Sequence, residues 1–547
     1  MKNRLLVLMI IAIAITFSNC KQEKKTPNMA ISEIKEKVDA FVKVKLTSDI
    51  TQLSDNEKQM IGIFIEVAKI MEDIYWTEAY GNKNDLMNSI DDQSVRDFIK
   101  INYGPWERLN GNKSFITEIG TKPPGAQFYP DDITKEEFEK FDSEDKTSLY
   151  TVVRRDNEGK LITIPYHEYY KKEITKAANL IDKAAVLADD PGLKKYLELR
   201  SKALLTDEYY ESDIAWMEMR DNTIDFIVGP IENYEDALFG YKAAHESFVL
   251  IKDIEWSKML DKFSSMLPEL QKTLPVSEKY KKEAPGSDSD IGVYDAVYYG
   301  GDCNAGSKTI AINLPNDEKV QTQKGTRKLQ LKNSMQYKFD KILLPISKVL
   351  VAEDQQKYIK FDAFFQNTMF HEVAHGMGIK NTINGKGTVR KALKEQYSGL
   401  EEGKADIVGL YLITKLYEMG EFPEKNLMDN YVTMLAGLFR SSRFGVSSSH
   451  GKANMVRFYY FKEMGAFVKD TETGRYSVDF DKMTEAMISL SEKILIIQGN
   501  GDYEAAKKMI DEMGFIREDL QKDLDLIAEK GIPKDLVFEQ GAAVLGL

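Results

Sequence analysis

Along the chain, apolar positions first recur at helical spacing: Ile31, Ile34, Val38, Phe41 and Val42, then Ile61, Ile65, Ala68 and Met71. That period predicts helix from Ile31 to about Ile74. A loop-rich stretch follows, punctuated by Gly104-Pro105-Trp106 and Lys122-Pro123-Pro124-Gly125. Helical spacing resumes from Tyr166 to Leu205, broken near Asp189-Asp190-Pro191-Gly192. Between Ile291 and Leu314 the pattern changes. Val293, Tyr294, Val297 and Tyr298, then Thr309, Ile310, Ile312 and Leu314, are β-branched and aromatic runs bounded by glycines, and they read as strands. From Asp340 to about Ile497 the chain is mainly helical, and the turn Gly499-Asn500-Gly501-Asp502 precedes the last helices. No fixed-period repeat is visible. The expectation is a helix-dominated α+β fold with a small sheet contributed from the middle of the chain.

The first residues follow a different rule. Lys2 and Arg4 precede Leu5 to Phe17, an apolar run of only thirteen residues. At about 1.5 Å per residue it is too short for a bilayer core of roughly 30 Å. Residues 1–19 are therefore expected to be a signal peptide. The run ends Phe17-Ser18-Asn19-Cys20, which resembles a bacterial lipoprotein cleavage box and makes Cys20 the lipidated first residue. Residues 20–28, polar and unpatterned, read as a tether. The expected location is an exported protein, lipid-anchored to a bacterial membrane.

Composition narrows the function. Lys+Arg 74 against Asp+Glu 87 gives a net charge of −13 in 547 residues, with no basic stripe, and argues against nucleic acid as a partner. Two cysteines, Cys20 and Cys303, make no disulfide framework. Only five histidines occur, so their positions carry weight.

Two of them lie in His371-Glu372-Val373-Ala374-His375. On a helix, i and i+4 share a face, so both imidazoles can reach one metal ion, with Glu372 placed as general base toward a water. Catalytic zinc takes a third protein ligand and keeps one position open. Gly378 continues toward the longer metzincin pattern, but Asn381 stands where that pattern needs histidine. The better candidate is Glu402 in Glu401-Glu402-Gly403-Lys404-Ala405-Asp406, read as the start of a second helix. Asp406, four residues on, shares its face and can orient a histidine.

The pair HExxH and EEGKAD resembles the dipeptidyl peptidase III family of zinc exopeptidases. The resemblance implies one zinc ion held by His371, His375 and Glu402, with Glu401 and Asp406 as partners of the histidines. Asn313-Leu314-Pro315-Asn316 is similar to a family element whose asparagines hold the N-terminal end of a peptide substrate, which implies that role for Asn313 and Asn316. Gly229 to Asp236 resembles a segment upstream of it. Ser449-His450-Gly451-Lys452-Ala453, followed by Arg457-Phe458, resembles a helix whose histidine stabilises the transition state, which assigns His450 beside Glu372. The family implies two lobes around a wide cleft: a helical zinc lobe, and a lobe with a small sheet or barrel. The corresponding division is 29–247 first lobe, 248–290 helical segment of the zinc lobe, 291–342 strand-rich segment of the first lobe, 343–500 zinc lobe, and 501–547 C-terminal helices.

Three departures stand out. The zinc motif is one residue shorter than the commoner family form. A tyrosine that polarises the scissile carbonyl in animal and fungal members aligns with Ile227, with Tyr234 and Tyr241 as nearby substitutes. An arginine that binds the substrate's far end has no match near the C-terminus. The expected function is zinc-dependent hydrolysis near the N-terminus of short peptides. A zinc endopeptidase and a non-catalytic peptide- or glycan-binding lipoprotein are the alternatives. His167, His245 and Cys303 are given no role.

Overall fold

Two hydrophobic cores organise the chain, and the computed structural model describes it over residues 24–285, 289–422 and 426–547. The signal-peptide and Cys20 expectations lie outside these residues. Residues 24–28, expected to be a free tether, instead run along the first lobe. Lys24 pairs with Asp91, Thr26 accepts from the Thr117 amide, and Asn28 donates to Ser114.

The helix expected from Ile31 to Ile74 is three elements. A short helix, Ile31–Asp39, gives way to strand β1 (Phe41–Lys45), and helix α1 (Asp55–Ala79) follows. Phe-Val-Lys-Val-Lys has too much β-branching and alternation to continue a helix. Ser54 starts α1 with a reciprocal capping box to Glu57.

The sheet of the first lobe has five strands: β2 (Ile224–Glu232), β3 (Ala244–Lys252), β4 (Ser289–Gly301), β5 (Ala311–Leu314) and β6 (Thr326–Leu331). Their order is β2-β3-β4-β6-β5; β4 and β6 are parallel, and the other neighbours antiparallel. β2 and β5 are its two edges, and no ladder joins them among the described residues. A last strand, β7 (Asp535–Glu539), runs parallel to β1. Periodicity misses β2 and β3 because both are buried almost throughout and so show no alternation.

Between β3 and β4 the chain crosses into the second core as α2 (Ile254–Thr273), where Leu260, Phe263 and Leu270 pack. After β6 it returns, with Met335, Phe339 and Ile342 already in that core. There lie α3 (Phe361–Ala374), α4 (Tyr397–Glu418), α5 (Leu427–Ser442), α6 (Ser449–Glu463) and α7 (Phe480–Asn500). Residues 501–547 are not helices alone. Two helices add Met509, Leu520 and Ile527 to the second core before β7 goes back to β1. The architecture is helix-dominated α+β, and the edge strand β5 faces the helices that carry the chemistry across a cleft.

Candidate metal centre and active-site cleft

Helix α3 is held by its apolar approach: Phe365, Met369 and Phe370 are fully buried. Its end presents His371 and Glu372, and His375 is its C-cap residue with helical dihedral angles. The facing helix α4 begins four residues before the expected start, so Glu401 and Glu402 stand in its second turn. The two helices touch backbone to backbone. A Cβ at Gly409 would fall 2.8 Å from the Phe370 carbonyl and 2.9 Å from the His371 nitrogen. No side chain fits there, and the missing one lets Glu402 reach the histidines.

Oε2 of Glu402 is the hub. It lies 3.3 Å from Nε2 of His371, 3.7 Å from Nε2 of His375 and 3.0 Å from Nδ1 of His450. The same oxygen is buried and makes no well-formed hydrogen bond. A buried carboxylate oxygen facing three imidazole nitrogens is the donor arrangement that a cation site needs. Ligand atoms of His371, Glu402 and His450 converge within 4.8 Å of one another. The donor set therefore fits a divalent metal of borderline softness.

The backs of the imidazoles are occupied. Nδ1 of His371 lies 2.8 Å from Asp406, whose other oxygen is 3.0 Å from Arg457. Nδ1 of His375 lies 3.0 Å from Glu401, which also takes Lys404 at 2.8 Å and Gln498 at 2.8 Å. Both histidines thus turn Nε2 toward Glu402, with orientation set by a carboxylate behind each. Burial alone would raise the pKa of Glu401, but Lys404 and then His375 outweigh it and hold it at about 2. For Asp406, Arg457 and His371 do the same, again to about 2. Burial disfavours a charge on His371, yet Asp406 and Glu402 outweigh it, so the surroundings of this imidazole favour positive charge. Both carboxylates are ionised and both accept from their histidines.

His450 arrives differently. It sits in the first turn of α6, capped by the Ser448 hydroxyl on the Gly451 amide, and its side chain is 66% exposed. A Cβ at Gly451 would lie 2.2 Å from the Gly445 carbonyl, so only glycine allows this close turn. Asn381, by contrast, is turned away to Glu283. His167 pairs with Asp207, and His245 is fully buried against Glu78. Cys303 is a buried free thiol.

The chain resembles known proteins over most of its length. The family model Peptidase family M49 matches residues 134–390. A solved structure titled as DPP III from Caldithrix abyssi is 39% identical and superposes with a TM-score of 0.89, covering 93% of this chain and 98% of that one. The dipeptidyl-peptidase III of Corallococcus sp. strain EGB is 35% identical with a TM-score of 0.79, covering 92% and 96%.

This chain belongs to peptidase family M49.

An Arabidopsis thaliana protein named Nudix hydrolase 3 is also 35% identical, over 92% of this chain and 73% of its own length. Its name refers to that longer protein. The M49 chain is a metallopeptidase.

Two cavities meet at the centre. One, of about 780 Å³, is lined by Glu232, Tyr234, Glu246, Asp302, Asn313 and Asn316 from the sheet lobe, and by His371, Glu372, His375, Glu402 and His450 from the helices. The other, of about 560 Å³, starts from His371, Glu372 and His450 and runs toward Lys308, Lys338 and Arg440. The cleft is thus acidic at one end and basic at the other. Asn316 also donates to the carbonyl of Ile231 at 3.0 Å, tying the edge of the sheet to β2.

The fold distinguishes the two nearby substitutes for the family's tyrosine. Ile227 is buried inside β2, paired with Phe248. Tyr241 stacks with Phe138 and Phe239. Two tyrosines line the cavity: Tyr234 from the sheet lobe, 80% exposed, and Tyr397 at the start of α4. The pKa of Tyr234 is raised first by Glu232, and then by burial. Glu232 was also missed, although it lies within the Gly229–Asp236 segment already singled out.

Proposed function

We propose that this M49 enzyme is a zinc-dependent dipeptidyl peptidase that acts on short peptides with a free amino terminus. The carrying observation is Glu402 Oε2, buried, without a well-formed hydrogen bond and within 3.7 Å of three imidazole nitrogens. His371, His375 and Glu402 are the proposed ligands, since the first two share one geometry, Nδ1 to a carboxylate and Nε2 to the centre. The DPP III titles of two structures covered almost end to end support the dipeptide-releasing specificity.

When bound, the metal supplies Lewis acidity to the scissile carbonyl and the attacking water. The remaining work belongs to the protein. Asn313, Asn316 and Glu232 line the acidic end, where a peptide's ammonium group finds negative charge and hydrogen-bond acceptors. Anchoring that end fixes which bond lies over the centre, and this is the physical content of exopeptidase specificity. Glu372 takes the water's proton and delivers it to the leaving amine. His450 and Tyr234 are the donors available to a developing oxyanion.

Export and lipid anchoring through Cys20 complete the proposal, supported by the sequence alone. Among the described residues no helix is long and apolar enough to cross a membrane. Cys20→Ala should release the protein from membranes; continued partitioning would end that reading.

The test of the centre is elemental analysis beside turnover. Wild type should hold one zinc per chain, and Glu372→Gln should hold the same zinc while losing about 10²- to 10⁴-fold in kcat. Full turnover in Glu372→Gln, or a purified active enzyme without zinc, would overturn it.

A further inference from the structure

Lys328 is a buried cation that leaves its own lobe. It sits in β6 of the five-stranded sheet, 6% exposed. Its Nζ donates to the main-chain carbonyl of Glu372 at 2.5 Å and lies 3.8 Å from the Glu372 carboxylate. Glu372 is in the last turn of α3, in the other lobe, where carbonyls lack intrahelical partners and the helix end carries partial negative charge. The ammonium therefore satisfies a helix terminus and stands beside the proposed base at once.

Its other neighbour is equally placed. In the ladder of β6 with β5, Lys328 is the register partner of Asn313, and directly opposed residues share a face. Lys328 and Asn313 both line the cavity that holds the metal centre. One rung thus carries the residue offered to the substrate and the residue that reaches the base. Burying an ammonium costs several kcal/mol unless it is well paired, and the sheet needs no charge here for its own core, since Leu329 and Leu331 are fully buried. Glu401 and Lys404 on α4 are the other charged groups that act on Lys328, with opposite signs.

We propose that Lys328 is a positioning residue that couples a peptide seated on β5 to the placement of the Glu372 carboxylate. This rests on the role of Glu372 given above. As the peptide pairs with the sheet edge, the β5–β6 pair carrying Asn313 and Lys328 moves as one unit with it. The ammonium then holds the end of α3 and its carboxylate in register with the bond to be cut. No covalent step involves the lysine.

The test uses the zinc-loaded enzyme and tetra-alanine as substrate. Lys328→Met keeps the stem and removes the charge. It should lower kcat by roughly 10- to 100-fold, the scale of a displacement of about 1 Å, with KM changed less than about threefold and zinc content unchanged. Lys328→Arg should recover most of that loss. In a Glu372→Gln background, Lys328→Met should cost nothing further, because its effect passes through Glu372. Wild-type kcat in Lys328→Met would overturn the proposal, as would the same fold loss in both backgrounds, which marks a general weakening of the fold. Glu372→Gln alone separates the premise: if that variant turns over normally, the reading of the base has failed, independently of Lys328.

Discussion

His371 Nδ1 lies 2.8 Å from Asp406 Oδ1, so the nitrogen that His371 turns toward Glu402 is Nε2. Arg457 on the other oxygen keeps Asp406 ionised and fixed. Asp406→Asn should leave the helices in place and weaken metal binding about 10- to 100-fold. Competition against a chelator of known affinity measures it. Unchanged affinity would mean that Asp406 holds Arg457 and not the metal ligand.

His375 and His450 compete for one assignment. Both reach Glu402, but only His375 has its far nitrogen on a carboxylate. His375→Ala should lose the metal. His450→Ala should keep it and lose about 10²- to 10³-fold in kcat, as expected for one oxyanion donor. Loss of metal from both variants would make His450 a ligand.

Gly409 sets the distance between α3 and α4. Its Cβ would meet main-chain atoms of Phe370 and His371, which cannot swing aside as a side chain can. Gly409→Ala should destabilise the fold by about 1–3 kcal/mol and weaken metal binding with it. Calorimetry on the metal-free and metal-loaded protein separates the two effects. A stable variant with normal metal affinity would show that the helices can part without disturbing the centre.

Much of this centre was legible because metal chemistry uses few residue types at fixed spacings. HExxH and the EEGKAD segment name six of its residues, and i, i+4 geometry places four of them. The helical lobe was legible less directly: α3, α4 and α6 are buried on most faces, so the length of their apolar runs rather than an apolar–polar period marks them as helix. The sheet was less legible still. β2 and β3 are buried on both faces and lack alternation, and β1 finds its partner β7 nearly five hundred residues away. Tyr234 was legible only as one of two substitutes for the tyrosine that Ile227 replaces, and only the fold shows that Tyr234, not Tyr241, lines the cleft. Lys328 carries no local signal; its meaning depends on a helix from the other lobe.

Acid sensitivity should come from the first lobe. Glu235 is buried between Arg108 and Lys122. Burial alone would raise its pKa, but Arg108 and then Lys122 outweigh it and hold the carboxyl well below 4.5. The folded state thus binds this proton more weakly than the unfolded one. The stabilisation is fully present above about pH 4.5 and is lost as pH falls below it. Glu235→Gln should cost about 3–5 kcal/mol at pH 7, since it leaves two buried cations unpaired, and less at pH 3. Denaturant melts at the two pH values measure this. An equal cost at both would assign the loss to packing.

The most direct measurement is product analysis by mass spectrometry. The enzyme, residues 21–547, is incubated with one set of peptides bearing free amino termini and the same set N-acetylated, with and without chelator. Dipeptides released only from the free-amine set, and abolished by chelator, are the expected result. Internal cleavage of the acetylated peptides would contradict the anchoring of the amino terminus in the acidic end of the cleft. Cleavage that survives the chelator would contradict the metal centre.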